Sequence, residues 1–130
     1  MATWNDVAGA CLALPETDET TSGHDGGRQW RVRGKSFAWE RPLRRRDLEE
    51  LGADAPTGPV LAASVPDEGA KRALVAAEPA VYFTTHHFDG YAAVLVRLGE
   101  IDVAALTELV GEAWACRAPK RLVAQHVPPS

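Results

Sequence analysis

The chain has 130 residues, 45% of them hydrophobic and 25% charged, with a formal net charge of −4. That length suits one domain, residues 1–130, which can bury a core without disulfides or metal. No apolar run approaches the roughly 20 residues of a membrane span, so no membrane partner is expected. Two cysteines and no secretory pattern indicate reduced thiols and a cytoplasmic protein.

The first third of the chain predicts a helix, a loop and a hairpin. Apolar residues recur at helical spacing over residues 5–14, after Thr3 as N-cap and before Pro15. Residues 15–27 are rich in turn formers and predict a mobile loop. A hairpin follows, with Gly34-Lys35 as its two-residue turn, which places Trp30 opposite Trp39 on one apolar face.

The middle of the chain is predicted to form short helices and strands in turn. A helix is predicted over residues 43–51 with Gly52 as its C-terminal cap, then a strand over 60–65, then a helix over 67–77. Asp89-Gly90 predicts a type I′ turn in a second hairpin, residues 81–98. Its register pairs Phe83 with Val96 and Thr85 with Val94, so one face is apolar and the other can meet solvent.

The last predicted element is a long helix that Asp102 caps and that runs to about Cys116, with residues 122–130 as a tail. Its apolar stripe is Leu106, Leu109, Val110, Ala113 and Cys116. Two hairpins, a lone strand and three main helices predict an α+β fold. In this fold a mainly antiparallel five-stranded sheet is covered by helices on one face.

Several segments together resemble the MmcQ/YjbR-like family. They are WRVRGKSFAW at residues 30–39, FDGY at 88–91 leading into VLVRL at 94–98, and EAW with APK at 112–114 and 118–120. The resemblance covers roughly residues 4–122, with a sub-branch form of the last helix. It implies a two-layer, secretion-chaperone-like fold with an antiparallel five-stranded sheet, and it carries the family's habitual DNA-binding label.

The sequence gives little reason to expect catalysis or a cofactor. His86 and His87 are adjacent on a predicted strand and would point to opposite faces, so no metal site is expected. Both cysteines lie on apolar helix stripes, where burial is the usual explanation, although Arg117 and nearby lysine and arginine could lower the pKa of an exposed Cys116. No nucleophile elbow, phosphate loop or paired-carboxylate motif is present, so the protein is expected to be non-enzymatic.

Charge gives the leading functional hypothesis. Residues 28–46 contain eight arginines and lysines against Glu40 alone, a local charge of +7 that leaves −11 for the other residues. We therefore predict weak binding of DNA through the first hairpin and the arginine cluster behind it, by Arg31, Arg33, Lys35, Arg44, Arg45 and Arg46. The alternative is a protein-interaction or self-associating module that uses a sheet face or edge. Tyr82, Phe88 and Tyr91 are the aromatic candidates for contacting a ligand or partner.

Overall fold

The computed structural model describes residues 2–21 and 27–126, and within them the chain has an α+β fold. Six strands form one antiparallel sheet in the order β1-β2-β3-β4-β6-β5. The strands are β1 (Thr17–Thr21), β2 (Arg28–Val32), β3 (Lys35–Glu40), β4 (Val60–Ser64), β5 (Tyr82–Phe83) and β6 (Ala93–Arg97). The α-helices are α1 (Trp4–Leu12), α2 (Arg45–Leu51), α3 (Glu68–Ala77), α4 (Val103–Arg117) and α5 (Lys120–His126).

The predicted starts of α1, α3 and α4 are confirmed, because short polar side chains cap them, whereas α2 begins at Arg45 rather than at residue 43. Thr3 Oγ1 accepts the Asp6 backbone N–H at 3.3 Å, and Asp6 Oδ2 accepts the Thr3 N–H at 2.9 Å, which closes a capping box at α1. Asp67 caps α3 by accepting the Ala70 N–H, and Asp102 caps α4 in the same way. These caps are local, so the sequence alone is enough to identify them.

The main core lies between α1, α4 and one face of the sheet. The α4 stripe of Leu106, Leu109, Val110 and Ala113 is buried as predicted, but Cys116 is exposed. Trp114 is buried instead, and its indole N–H donates to the Pro15 carbonyl at 3.0 Å. Because a helix has 3.6 residues per turn, Cys116, three residues after Ala113, lies to one side of the buried stripe.

The first hairpin exists, but its predicted register is wrong. The turn is Arg33-Gly34, with both residues at positive φ (48° and 82°), so Val32 pairs with Lys35. A shift in register between Arg31 and Trp30 then leaves Phe37 as an extra residue on β3. Trp30 therefore pairs with Ala38 rather than Trp39, and the two tryptophans lie on opposite faces.

The second hairpin also differs from its prediction. β5 has only two residues, and Phe83 pairs with Leu95, one residue away from the predicted register. Between the strands lie a 3₁₀ turn, His86–Phe88, and a type II turn in which Asp89 has φ −60° and Gly90 has φ +76°. Phe83 consequently faces the second side of the sheet, away from Val94 and Val96.

Two further segments form elements where none was predicted. Residues 17–21 form β1 at the sheet edge, within the predicted 15–27 loop, which brings the strand count from five to six. The rest of that loop, residues 22–26, lies outside the described residues. Lys120–His126 form α5 where residues 122–130 were expected to be a tail, and Leu122 of that helix is buried in the core. No helix among residues 2–21 and 27–126 is long and apolar enough to cross a bilayer.

Candidate binding groove

The second face of the sheet is covered over only half of its width. One row of residues crosses all six strands on this face: Thr20, Gln29, Trp39, Ala62, Leu95 and Phe83. The last three belong to a second, smaller core, with Phe88, Val60 and Ala93 buried beside them. Thr20, Gln29 and Trp39 are only half-buried, and Trp39 packs against the edge of this second core. The fully buried half of this face thus borders a half that is only partly covered, and Trp39 lies at the boundary.

A groove of about 670 Å³ lies at this boundary. Its sheet side includes Gln29, Ser36 and Trp39, and its opposite wall is the segment between β5 and β6. Two arginines from separate helices reach it, Arg44 next to α2 and Arg117 at the end of α4. We call this feature the arginine groove and define it by Gln29, Trp39, Arg44, His87, Tyr91 and Arg117.

The wall of the arginine groove is built around the ring of Phe88, which is buried. The His87 ring meets Phe88 edge-on at 5.1 Å between centroids, and the Tyr91 ring does so at 6.0 Å. The guanidinium carbon of Arg41 lies 5.3 Å from the Phe88 centroid. Tyr91 is 61% exposed, so a hydrophobic ring is presented to solvent on a packed support.

The free cations of the groove can be told apart from the paired ones. Arg28 binds Glu40 at 2.8 Å, and the buried Arg41 binds Asp47 at 3.1 Å. Arg44 and Arg117 are exposed, and neither guanidinium makes an ion pair with any residue of the described ranges. These two side chains can therefore meet an anion without first breaking an internal contact.

Three of the six predicted DNA-binding residues are paired with acidic side chains. Arg31 pairs with Asp18 at 3.0 Å, and Arg33 binds Glu16 through two hydrogen bonds of 2.7 and 3.0 Å. Lys35 and Arg46 are exposed without an ion pair among the described residues, and the exposed Arg45 pairs with Glu49. Of the six, Arg44 lines the arginine groove.

The acidic partners of the hairpin lie on β1, the strand that was not predicted, and at the residue just before it. Pairing of β1 with β2 sets Asp18 opposite Arg31. The hydrogen bond from Arg33 lowers the pKa of the Glu16 carboxyl, which keeps that group charged. The +7 of residues 28–46 is thus offset locally by acids that lie outside the segment in sequence but beside it in space.

The two adjacent histidines have different surroundings. His86 Nδ1 lies 3.1 Å from Asp89 Oδ2, and its Nε2 lies 3.8 Å from Glu50 Oε2. His87 turns to the groove, so the rings diverge, although in a 3₁₀ turn rather than on the predicted strand. In the part of the chain that the structure describes, no three His, Cys, Asp or Glu side chains are grouped to hold a metal ion.

The two cysteines also differ. Cys11 is fully buried, and burial raises the pKa of its thiol to about 12, so it behaves as a small apolar residue. Partial burial and the Glu112 carboxylate raise the pKa of the Cys116 thiol, and the opposing effect of Arg117 is smaller. Arg117 therefore acts on the Cys116 pKa in the expected direction, but burial and Glu112 outweigh it.

Sequence reasoning missed most of the arginine groove. Tyr91 was proposed as a contact residue and is exposed there, whereas Tyr82 and Phe88, proposed with it, are buried. Trp39 was assigned to the core because the predicted register placed it beside Trp30. Gln29 was not singled out and Arg117 was considered only as a neighbour of Cys116, because the two are distant in sequence and both reach the groove only in the folded chain.

The comparisons agree with the resemblance seen in the sequence. A family model described as YjbR matches residues 12–116. An uncharacterised protein of Mycobacterium bovis and two of Mycobacterium tuberculosis are each 56% identical to this chain over 126 residues, covering 95% of it and 94% of their own length.

A solved structure shows the same fold. The crystal structure of a Deinococcus radiodurans protein with the domain DUF419 matches with a TM-score of 0.63 over 88% of this chain and 77% of that chain. At 24% identity this likeness concerns the fold alone. The family model covers most of the chain and the mycobacterial relatives nearly all of it, so the chain belongs to the YjbR family.

Proposed function

We propose that this protein is a non-enzymatic binding protein that holds a single-stranded nucleic acid in the arginine groove. Trp39 and Tyr91 would stack on bases, and Arg44 and Arg117 would contact phosphates. The observation that carries the proposal is that an exposed tyrosine, a half-buried tryptophan and two unpaired guanidiniums line one groove. Single-strand sites combine these two features, since every base offers a face for stacking and the backbone is anionic.

The charge distribution favours a single strand over a duplex. Duplex binding relies on a cationic surface that reaches many phosphates, and here the hairpin arginines are occupied by Asp18 and Glu16. The net charge of −4 also opposes long-range attraction of a polyanion. A groove with two available arginines and stacking surfaces suits a few unpaired nucleotides better than a rigid double helix.

The test uses fluorescein-labelled oligothymidylate of about ten nucleotides, within the usual site size of single-strand binders. Fluorescence anisotropy at several salt concentrations gives the affinity and its salt dependence. Arg44→Ala should reduce the slope of log affinity against log salt by about 0.7, the value for one phosphate on a single strand. Trp39→Ala should weaken binding by about 5- to 150-fold, the equivalent of one lost stacking contact.

Arg46→Ala is the matched control. Arg46 is exposed, lies two residues from Arg44 and carries the same charge, but it does not line the arginine groove. It should leave affinity and slope nearly unchanged. Equal losses for Arg44→Ala and Arg46→Ala would contradict a groove site and indicate only general electrostatic attraction. Failure of the wild-type protein to bind the oligonucleotide at low salt would remove the proposal.

The alternative of a protein-interaction module has one surface in its favour. A mainly apolar groove of about 990 Å³ lies between α3 and α4, with Leu74, Ala77 and Ala115 among its lining residues. The edge strand β1 supports it less, because the charged Asp18 and Glu19 oppose edge-to-edge pairing of strands. Sedimentation velocity of Ala77→Glu tests the self-associating form of this alternative. The variant should dissociate any dimer that uses the α3–α4 groove, while Arg46→Ala should not.

A further inference from the structure

A lysine on α3 is buried where charged side chains are rare. Lys71 is 3% exposed, although α3 is otherwise largely solvent-facing on that stretch. Its Nζ donates to the Phe88 carbonyl at 2.7 Å and to the Tyr91 carbonyl at 2.8 Å, and it lies 2.6 Å from Glu68 Oε1. Two N–H groups of the ammonium thus donate to carbonyls, and the nearby Glu68 carboxylate offsets its charge, which is what permits the burial.

Both carbonyls belong to the type II turn that forms the wall of the arginine groove. The Tyr91 N–H closes the turn on the Phe88 carbonyl at 2.9 Å, so that oxygen accepts two hydrogen bonds. The turn lies outside the sheet ladder, since β5 ends at Phe83 and β6 begins at Ala93. Lys71 therefore supplies a connection to the body of the protein that strand pairing does not.

A second helix holds the other end of the same segment. The His86 backbone N–H lies 3.0 and 3.1 Å from the two carboxylate oxygens of Glu50 on α2. The wall is thus held from α3 at residues 88 and 91 and from α2 at residue 86. The anchors differ in burial, because Lys71 is enclosed whereas Glu50 is at the surface. The loss of Lys71 should therefore destabilise the wall more than the loss of Glu50, since water cannot replace the hydrogen bonds of Lys71 without opening the turn.

We propose that Lys71 is a positioning residue that fixes the Phe88–Tyr91 turn and so keeps the Tyr91 ring at the arginine groove. Without Nζ, the Phe88 and Tyr91 carbonyls lose an internal partner and gain one only by turning to water. The turn then opens and the wall of the groove becomes mobile. The consequence for ligand binding rests on the proposed function, whereas the consequence for the wall does not.

The test compares Lys71→Met with Leu74→Ala by amide hydrogen exchange of the free protein, resolved by NMR. Lys71→Met keeps the length of the side chain and removes the ammonium. Leu74→Ala, one turn along the same helix, removes a contact with the main core and leaves the anchor in place. Lys71→Met should raise exchange at the amides of residues 88, 89 and 91 by about tenfold more than in α4 and β4, a local opening. Leu74→Ala should raise exchange in both regions alike.

Glu68→Gln is the second variant, for use if Lys71→Met does not fold. It leaves the lysine in place but removes the ion pair, and it should raise exchange at the same three amides by a smaller factor. Exchange that rises uniformly in Lys71→Met, or not at all in Glu68→Gln, would overturn the positioning role. Provided that the wild type binds oligothymidylate, equal affinity of Lys71→Met would overturn it as well.

The two proposals fail in different ways. If the wild-type protein does not bind the oligonucleotide, the proposed function is lost, but selective opening of the turn in Lys71→Met still supports the positioning role. If the wild type binds and Lys71→Met loses about tenfold in affinity with its turn selectively opened, both are supported. If binding depends on Arg44 while the turn of Lys71→Met stays closed, the groove remains and the positioning role is removed.

Discussion

At the scale of single residues, His86 is the group whose protonation matters for the groove wall. The hydrogen bond with Asp89, and after it the charges of Glu50 and Asp89, raise the pKa of the His86 imidazole above its ordinary 6.5. Because the folded pKa is the higher one, the stabilisation is complete below about pH 6.5 and is lost as the pH rises through the folded pKa. The side chain is 82% exposed, so the effect concerns the local turn rather than the whole fold.

We therefore expect Asp89→Asn to lower the pKa of His86, and the measurement is an NMR titration of the imidazole protons. Glu49→Gln is the control. Glu49 lies on α2 next to Glu50 but pairs with Arg45 and not with His86. An unchanged His86 pKa in Asp89→Asn, or an equal shift in Glu49→Gln, would show that the Asp89 hydrogen bond is not the main cause.

Trp30 and Trp39 show which part of a residue's role could be predicted from sequence. Alternation correctly indicated that Trp30 is buried, and its indole N–H also donates to Glu19 at 2.8 Å. The position of Trp39 depended on the turn. Gly34 can occupy either central position of a two-residue turn, so the sequence does not fix which residues form the turn. The bulge at Phe37 on β3 could not be predicted either, because no sequence pattern marks it. A shift of one residue moves a side chain to the other face, so the error moved Trp39 from the groove to the core.

The two tryptophans should differ in what their removal costs. Trp30→Ala should lower the free energy of unfolding by about 3–5 kcal/mol, as large truncations in cores do. Trp39→Ala should cost clearly less, because the ring is half-buried and its loss leaves a smaller cavity. Urea denaturation with comparable m-values tests this. Equal costs would mean that Trp39 belongs to the core and not to the groove boundary.

At the scale of elements, α2 is attached to the sheet by a buried ion pair rather than by a broad apolar face. Arg41, just after β3, binds Asp47 at 3.1 Å and also donates to the Pro42 carbonyl. Asp47 Oδ2 accepts the Arg44 backbone N–H at 2.9 Å as well, which fixes the start of α2. Both charged side chains are over nine-tenths buried, so each depends on the other.

Asp47→Ala should therefore destabilise the protein by about 3–5 kcal/mol, the usual cost of leaving one member of a buried pair unpartnered. Glu49→Ala, which breaks the exposed pair with Arg45, should cost about 0.3–0.5 kcal/mol. Thermal and urea denaturation provide both values. If Arg41→Met with Asp47→Leu in one chain is less stable than Asp47→Ala alone, the cost comes from lost packing instead of an uncompensated charge.

The elements that could be predicted are those whose signals are local. Caps identified the starts of α1, α3 and α4, and the apolar run at 60–65 identified β4, whose residues are all buried. β1 was missed because TDETT has no apolar alternation, and its pairing with β2 involves the backbone. Lys71 was missed for the same kind of reason, since its partners are carbonyls seventeen and twenty residues away.

At the scale of the whole molecule, β1 changes what the charge distribution means. In the sequence, residues 28–46 are a basic block, but in the fold Glu16 and Asp18 lie beside Arg33 and Arg31. Charges that are separated along the sequence thus neutralise each other between neighbouring strands of the sheet. In the arginine groove, Glu40 and Asp47 likewise pair with Arg28 and Arg41, and Arg44 and Arg117 are the cations without an ion pair to a described residue.

This arrangement predicts that removing acids should create duplex binding at the hairpin. Glu16→Gln with Asp18→Asn removes two negative charges, changes the formal net charge from −4 to −2 and frees two guanidiniums. We expect the double variant to bind a short DNA duplex more tightly than the wild type, with a salt slope steeper by up to about 1.8, or 0.9 for each new phosphate contact. Anisotropy titrations with a labelled duplex measure both quantities.

Asp54→Asn with Glu100→Gln is the matched control, because it changes the net charge equally at exposed acids that make no ion pair in the described part of the chain. If both double variants gain duplex affinity equally, the gain reflects net charge and not the release of Arg31 and Arg33. If the wild type already binds the duplex with the steeper slope, β1 does not shield the hairpin and duplex DNA becomes the better candidate ligand. A gain confined to the β1 variant would mean that the edge strand keeps the hairpin arginines from contacting phosphates.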